Sequence, residues 1–154
     1  MSILETYIRP GLKLLPPEMD TREAAAMLIA IGFQESRFEY RKQIRGPARG
    51  WWQFEEGGGV RGVLTHPATA GIAREVCDRL HVPAQVQICY GLVAYHDALA
   101  CVFARLLLWT LPWSLPEPWD AEKAWNQYIA AWRPGKPHRH TWNEFYRRAW
   151  EIVG

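Results

Sequence analysis

An almost wholly apolar stretch over Ala24–Phe33 predicts a helix that is buried on most of its sides. Asp20 precedes this stretch, and Glu23 follows Asp20 by three residues, which is the spacing of an N-terminal capping box. We therefore predict a first long helix over residues 20–38.

The rest of the chain alternates between helical apolar patterns and segments rich in proline and glycine. We expect the further helices at residues 67–80, 83–94, 96–110, 120–132 and 141–152. Residues 1–19 form an N-terminal lead-in, and the three prolines of residues 111–118 predict a loop. Between Tyr40 and Pro67, glycines and mixed charges break every helical period, which predicts a long irregular loop or a small β-hairpin.

A chain of 154 residues with 49% apolar residues fits one domain with a hydrophobic core. The pattern therefore predicts a mainly α fold in a single domain over residues 1–154. The hydrophobic region Ile88–Trp113 contains Asp97 and Arg105, so it predicts two buried helices and no membrane insertion. The net charge of +2 is too small to indicate a protein dedicated to binding nucleic acid.

The cysteine and histidine patterns do not indicate a cofactor or a metal. The three cysteines, Cys77, Cys89 and Cys101, lack the spacing of a metal or redox site and are expected to be reduced in helix cores. His138 and His140 have no acidic or cysteine partner at a fixed spacing. No basic and apolar leader opens the sequence, so we expect a protein made in the cytoplasm without a secretory signal.

Glu35 is the first candidate for chemistry because it lies at the end of the predicted apolar helix. Burial disfavours the charged form of a carboxyl group, and the negative end of the helix dipole acts in the same direction, so both raise its pKa. A glutamate that keeps its proton near neutral pH can act as a general acid. The alternative is an ordinary surface glutamate at a fraying helix end.

Small residues and a glutamine follow Glu35 in an ordered pattern. The pattern is Glu35-Ser36-x-Phe38 and then Gly46-x-Ala48-x-Gly50-x-x-Gln53. It resembles the signature of the soluble lytic transglycosylases, a lysozyme-like family that cleaves the glycan of bacterial peptidoglycan. In that family the glutamine also stands eighteen residues after the catalytic glutamate, as Gln53 does here.

The resemblance covers residues 24–72 and is thinner elsewhere. The chain departs from the family pattern at three places: Ile44 stands where a serine is usual, Pro47 where a glycine is usual, and Trp51-Trp52 where Leu-Met is usual. The combination of Trp-Trp-Gln-Phe-Glu with a triple glycine also resembles phage-encoded lysozyme-like proteins. The resemblance implies a lysozyme-like helical domain.

The resemblance also implies a role for each matching residue. Glu35 would protonate the leaving glycosidic oxygen and then act as a base toward the 6-hydroxyl of the sugar, which leaves an anhydro end. Ser36 would hydrogen-bond near the N-acetyl group, and Gln53 would place its amide in the same cleft. A family tyrosine that binds the acid is expected at Tyr128, because Trp125 takes the family position and has no hydroxyl.

Aromatic and basic residues in loops are candidates for substrate binding. Trp52 is expected to help line a groove for sugar rings, with core packing as the alternative. The tryptophans in or beside loops are Trp51, Trp52, Trp113, Trp119 and Trp142. Those expected to pack in the core from helices are Trp109, Trp125 and Trp150. Arg133 and Lys136, in the loop after Trp132, are expected to bind acidic groups of wall polymers, with a solvated loop as the alternative.

The sequence therefore predicts a peptidoglycan lytic transglycosylase that binds glycan strands, with Glu35 as its only general acid and base. The first alternative is a muramidase, which needs a second carboxylate, and Glu55 and Glu56 are the only nearby candidates. The second alternative is a catalytically silent lysozyme-like module of a wall-binding protein or virion. We expect a monomer that acts on the bacterial cell wall, after release at lysis or delivery by a virion.

Overall fold

The helices of the structure follow the apolar periods of the sequence. A computed structural model describes residues 2–154, which form a mainly α fold with no β-strand among them. The α-helices in this range are α1 Arg9–Leu12, α2 Arg22–Ser36, α3 Arg61–Thr65, α4 Ala70–Arg79, α5 Val86–Val93, α6 Asp97–Trp109, α7 Ala121–Trp132 and α8 Arg139–Val153. The prediction of a mainly α fold is confirmed.

Helix α2 is buried around its whole circumference over Ala24–Phe33, as its composition predicts. Its N-cap is Thr21 and not the predicted Asp20, because the Thr21 hydroxyl accepts a hydrogen bond from the amide of Ala24 at 3.1 Å. The helix ends at Ser36, earlier than predicted, because Arg37 takes a left-handed backbone conformation with a φ of 55°.

The other helices enclose α2. Helix α8 packs along it, and the rings of Phe33 and Phe145 are stacked with their centroids 5.5 Å apart. Helix α6 is buried over Leu99–Leu108 and contacts both α2 and α1. The N-terminal lead-in is itself helical, since a π-helical segment over Leu4–Ile8 continues into α1. Its apolar side chains are buried, so the lead-in is part of the core.

The structure corrects the prediction of an irregular segment up to Pro67. A π-helical turn over Glu56–Val60 and helix α3 both lie in this region. The triple glycine obscures them in the sequence, because glycine disfavours a helix in isolation. In the folded protein, the buried side chains of Val60, Val63 and Leu64 hold the segment against the core.

The sequence predicts an irregular loop or a small β-hairpin between α2 and the π-helical turn. The structure has two isolated antiparallel bridges there, Lys42–Arg49 and Arg49–Phe54. Gly50 follows Arg49 in the turn that leads to Phe54, and its φ is 79°. A Cβ atom at Gly50 would lie 2.3 Å from the backbone carbonyl oxygen of Val93, at the end of α5. Only glycine fits both the conformation and the close approach.

The apolar region Ile88–Trp113 falls into α5 and α6, with a break between them. No single helix within residues 2–154 is long and apolar enough to cross a membrane, and α5 with α6 meets the length and composition test only as a pair bent by 115°. The three cysteines are buried free thiols in α4, α5 and α6, in agreement with the expected helix-core positions.

Gly50→Ala is expected to lower the free energy of unfolding by more than about 2 kcal/mol, because the new methyl group overlaps a backbone carbonyl that cannot move independently. The matched control is Gly91→Ala in the middle of α5, where a Cβ atom meets nothing within 4 Å. That variant is expected to be as stable as the parent or up to about 1 kcal/mol more stable. Urea denaturation followed by tryptophan fluorescence measures both, and equal effects of the two substitutions would contradict the assignment.

Candidate active site

Glu35 lies in the last turn of α2, where its side chain is only partly exposed. Its carboxyl group accepts a hydrogen bond from the hydroxyl of Tyr128 on α7. Burial raises the pKa of Glu35, the Tyr128 hydrogen bond lowers it, and the negative charge of Glu55 raises it, with a net increase from 4.5 to about 7. Near neutral pH the group is therefore divided between its acid and base forms, as general acid and base catalysis requires.

Tyr128 is positioned by three tryptophans. Its ring is stacked on Trp142 with centroids 5.2 Å apart, and the rings of Trp125 and Trp132 lie at 5.5 and 6.3 Å. Burial raises the pKa of Tyr128, and the adjacent charge of Glu35 adds to this, so the hydroxyl remains a proton donor. The structure thus brings Tyr128 to Glu35, and Trp125 supports the tyrosine ring.

Ser36 is fully buried, which corrects its expected role as a substrate contact. Its hydroxyl oxygen lies 2.7 Å from the carbonyl oxygen of Trp51 and 3.2 Å from that of Gly32, and it accepts a hydrogen bond from the amide of Phe38. These contacts join the end of α2 to the loop that carries Gln53. Ser36 therefore positions that loop and does not reach the surface.

Gln53 is partly exposed in the loop that Ser36 anchors, with a left-handed φ of 53°. Its side-chain amide donates a hydrogen bond to the carbonyl oxygen of Gly50 at 2.9 Å, within its own turn. The indole N–H of Trp132 donates to the carbonyl oxygen of Trp52 at 2.9 Å. The residue before Gln53 is therefore tied to α7, the helix that carries Tyr128.

Most of the expected sugar-binding tryptophans belong to the core, which corrects the expected tryptophan-lined groove. Trp52 is fully buried, and its indole N–H donates to the carbonyl oxygen of Leu28 at 2.8 Å, so its ring has no free face for a sugar. The buried members of the set are Trp51, Trp52 and Trp142. Trp113 and Trp119 are exposed, and so is Trp109, which was expected in the core.

The basic loop between α7 and α8 is attached beside Glu35. The side chain of Gln34 donates a hydrogen bond to the carbonyl oxygen of His138 and accepts one from the hydroxyl of Thr141, both at 2.9 Å. Arg133 and Lys136 are exposed on this loop, and neither forms a salt bridge within residues 2–154. Their charges are therefore available to an acidic ligand next to the site.

Two residues beside Glu35 are not predicted from the sequence. Gln34 anchors the basic loop, and the hydroxyl of Tyr40 donates a hydrogen bond to the backbone carbonyl oxygen of Glu35 at 3.1 Å. The contact of Gln34 joins residues 104 positions apart, so no local pattern could have indicated it. Tyr40 lies in a loop without periodicity, where an aromatic residue carries no positional signal.

Glu55 and Glu56, which the sequence leaves equivalent, differ in the structure. Glu55 is exposed, and its charge is close enough to raise the pKa of Glu35, whereas Glu56 is not among the causes of that shift. Phe54, the residue before Glu55, is buried with its ring 6.1 Å from that of Trp132. One additional carboxylate therefore lies near the candidate acid.

Two cavities of about 530 and 520 Å³ both border Trp113, and neither is lined by Glu35. The candidate acid thus lies outside both of these open cavities. Within residues 2–154, no group of three or more histidine, cysteine, aspartate or glutamate side chains is arranged to hold a metal ion.

Comparison with known proteins adds no relative, since no family model, curated protein or solved structure matches the chain.

Tyr128→Phe is expected to raise the pKa of Glu35 above about 7, because it removes the hydrogen bond that favours the ionised carboxylate. Glu55→Gln is expected to lower the same pKa, since it removes a like charge. Titration of the Glu35 side-chain carboxyl carbon by NMR measures both shifts. Glu56→Gln is the matched control, and a shift as large as that of Glu55→Gln would contradict the assigned position of Glu55.

Glu35→Gln is expected to stabilise the protein at pH 8 and to change its stability little at pH 4. Folding raises the pKa of Glu35 from 4.5 to about 7. The native state therefore loses stability as the pH rises from 4.5 to about 7, and above about pH 7 the whole loss of stability remains. The gain at pH 8 is on the order of 1–3 kcal/mol. Urea denaturation at the two pH values measures it, and a pH-independent effect would contradict burial as the cause.

Proposed function

We propose that the protein is a peptidoglycan lytic transglycosylase that cleaves the β-1,4 bond between N-acetylmuramic acid and N-acetylglucosamine. The observation that carries this proposal is the carboxyl group of Glu35, which is partly buried, bonded by the Tyr128 hydroxyl, and has its pKa raised to about 7. The spacing from Glu35 to Gln53 in the sequence supports the same family of reactions. Glu35 is the general acid and the general base.

In the first step, protonated Glu35 donates its proton to the glycosidic oxygen as the bond from that oxygen to the anomeric carbon of the muramic sugar breaks. The carboxylate that results then accepts the proton of the 6-hydroxyl of the same sugar while the 6-oxygen bonds to the anomeric carbon. The products are a free glucosamine 4-hydroxyl and a 1,6-anhydro end, and Glu35 regains its proton. The Tyr128 hydroxyl orients the carboxyl group throughout and keeps its own proton.

Glycan strands are the proposed partner, and the cell wall is the proposed place of action after lysis or delivery by a virion. Gln53 stabilises its own turn through the carbonyl oxygen of Gly50, and the exposed Arg133 and Lys136 attract lactyl and peptide carboxylates of the wall polymer. Trp52 and Ser36 act indirectly, because both are fully buried and support the loop and helix end around Glu35.

A second candidate function, a muramidase, is favoured by one specific observation. The charge of Glu55 acts on Glu35, so a second carboxylate is near enough to influence the first. Glycosidases that use water generally need such a pair across the scissile bond. In that mechanism Glu55 stabilises the positive charge at the anomeric carbon or activates the water.

Purified peptidoglycan incubated with the protein is expected to yield soluble fragments with anhydromuramyl ends, identified by mass spectrometry. Glu35→Gln is expected to reduce fragment release by at least about 10²-fold, because the acid and the base are lost together. Glu55→Gln and the matched control Glu56→Gln are expected to release the same anhydro products.

Two results together would replace the proposal with the muramidase. The fragments would carry reducing ends, and Glu55→Gln would lose fragment release while Glu56→Gln kept it. Absence of any release by the parent protein would overturn both enzymes and leave a catalytically silent wall-binding or virion module. Circular dichroism of each variant verifies that a loss of activity is not a loss of fold.

A further inference from the structure

The cavity of about 530 Å³ is built from three parts of the chain, none of which contributes to the site at Glu35. The end of α6, the loop after it, and the residues around the start of α2 form its walls. Trp109 and Trp113 present partly exposed rings, with exposed fractions of 38% and 54%. A space of this size lies in the range of small-molecule sites in proteins.

Arg105 is the most unusual residue of this cavity. Only 3% of it is exposed, yet it has no salt bridge with any residue in the range 2–154. Its Nε–H donates to the carbonyl oxygen of Met19 at 2.8 Å, and the guanidinium lies over the ring of Trp109 at 5.3 Å. Burial lowers the pKa of Arg105 to about 10, in line with the missing carboxylate partner.

The outer nitrogens of Arg105, Nη1 and Nη2, form no hydrogen bond within the described residues, and neither is sealed from solvent. Arg105 is one of the residues that line the cavity, so a ligand bound there can reach a side chain with two unused donors. A buried guanidinium without an anion is costly, and two parallel N–H donors match the two oxygens of a carboxylate. A ligand with a carboxylate group therefore matches the unused donors of Arg105.

Three carboxylates of the protein also border the cavity, and they restrict the kind of anion that fits. Glu18 and Glu117 are exposed, and Glu23 is half-buried. None of them pairs with Arg105, and together they repel a ligand that carries only negative charge. A ligand with an ammonium group at some distance from its carboxylate satisfies both sets of charges.

We propose that this cavity binds a short peptide as a zwitterion, with its terminal carboxylate on Arg105, its ammonium group among the three glutamates, and its apolar body between Trp109 and Trp113. A peptide suits the cavity better than a single amino acid, because a space of about 530 Å³ is large enough for several residues. The site is independent of Glu35, which does not line this cavity.

The probe is the tripeptide alanyl-leucyl-alanine, added at millimolar concentration while the indole N–H signals of Trp109 and Trp113 are followed by NMR. We expect saturable shifts of these two signals. The N-acetylated tripeptide lacks the ammonium charge and the C-terminal amide lacks the carboxylate, so each is expected to bind at least about tenfold more weakly. Equal binding of the three peptides, or no shift with the free tripeptide, would overturn the proposal.

Protein variants locate the site. Trp113→Ala and Glu117→Gln change exposed side chains and are expected to weaken tripeptide binding, and Arg105→Gln is expected to remove the preference for the free carboxylate. Trp119→Ala is the matched control, because that ring is 81% exposed and does not line the cavity. Weakening by Trp119→Ala equal to that by Trp113→Ala would also overturn the proposal.

Glu35→Gln separates this inference from the proposed enzyme activity. It is expected to abolish fragment release and to bind the tripeptide unchanged, since Glu35 lies outside the cavity. Weakened tripeptide binding in Glu35→Gln would show that the cavity is not an independent site.

Discussion

Burial of α2 on every side over Ala24–Phe33 is the constraint on which the rest of the structure depends. A helix that is apolar on every side must be covered on every side, and α6, α8 and the N-terminal lead-in supply that cover. Close coverage requires small side chains, and a Cβ atom at Gly32 would lie 2.1 Å from the ring of Phe38. Glu35 lies in the last turn of this helix, so the packing of α2 fixes its backbone position and Tyr128 then contacts its carboxyl group.

The chemistry proposed for Glu35 is a consequence of the same burial. Removal of water raises its pKa strongly, and the Tyr128 hydroxyl moderates the rise by favouring the ionised form. The pKa of Glu35 therefore depends on where the Tyr128 hydroxyl lies. The stacking of Tyr128 on Trp142 and its contact with Trp125 fix that position. A partly buried carboxyl group with a pKa near 7 reduces the stability of the fold above neutral pH, and such losses of stability are common at functional sites.

The tryptophans fall into two groups. One group packs in the core and supports the Glu35 site, and the other lines a cavity away from Glu35. Trp52 and Trp132 are linked through the Trp132 indole N–H and join the Gln53 loop to α7. Trp109 and Trp113 instead frame a cavity around Arg105, a buried cation without an internal partner. The two regions use different residues, so ligand binding at each can be tested separately.

The sequence by itself determined the elements whose signal is local. The apolar run of α2 and the break between α5 and α6 were both readable, because periodicity acts over a few residues. Tertiary structure alone decided which individual polar and aromatic side chains are buried and which distant residues they contact. It placed Ser36 and Trp52 inside, selected Glu55 over Glu56, brought Gln34 to a loop 104 residues away, and made a helix of the segment after the triple glycine. These outcomes depend on contacts between distant parts of the chain, which a local sequence pattern does not encode.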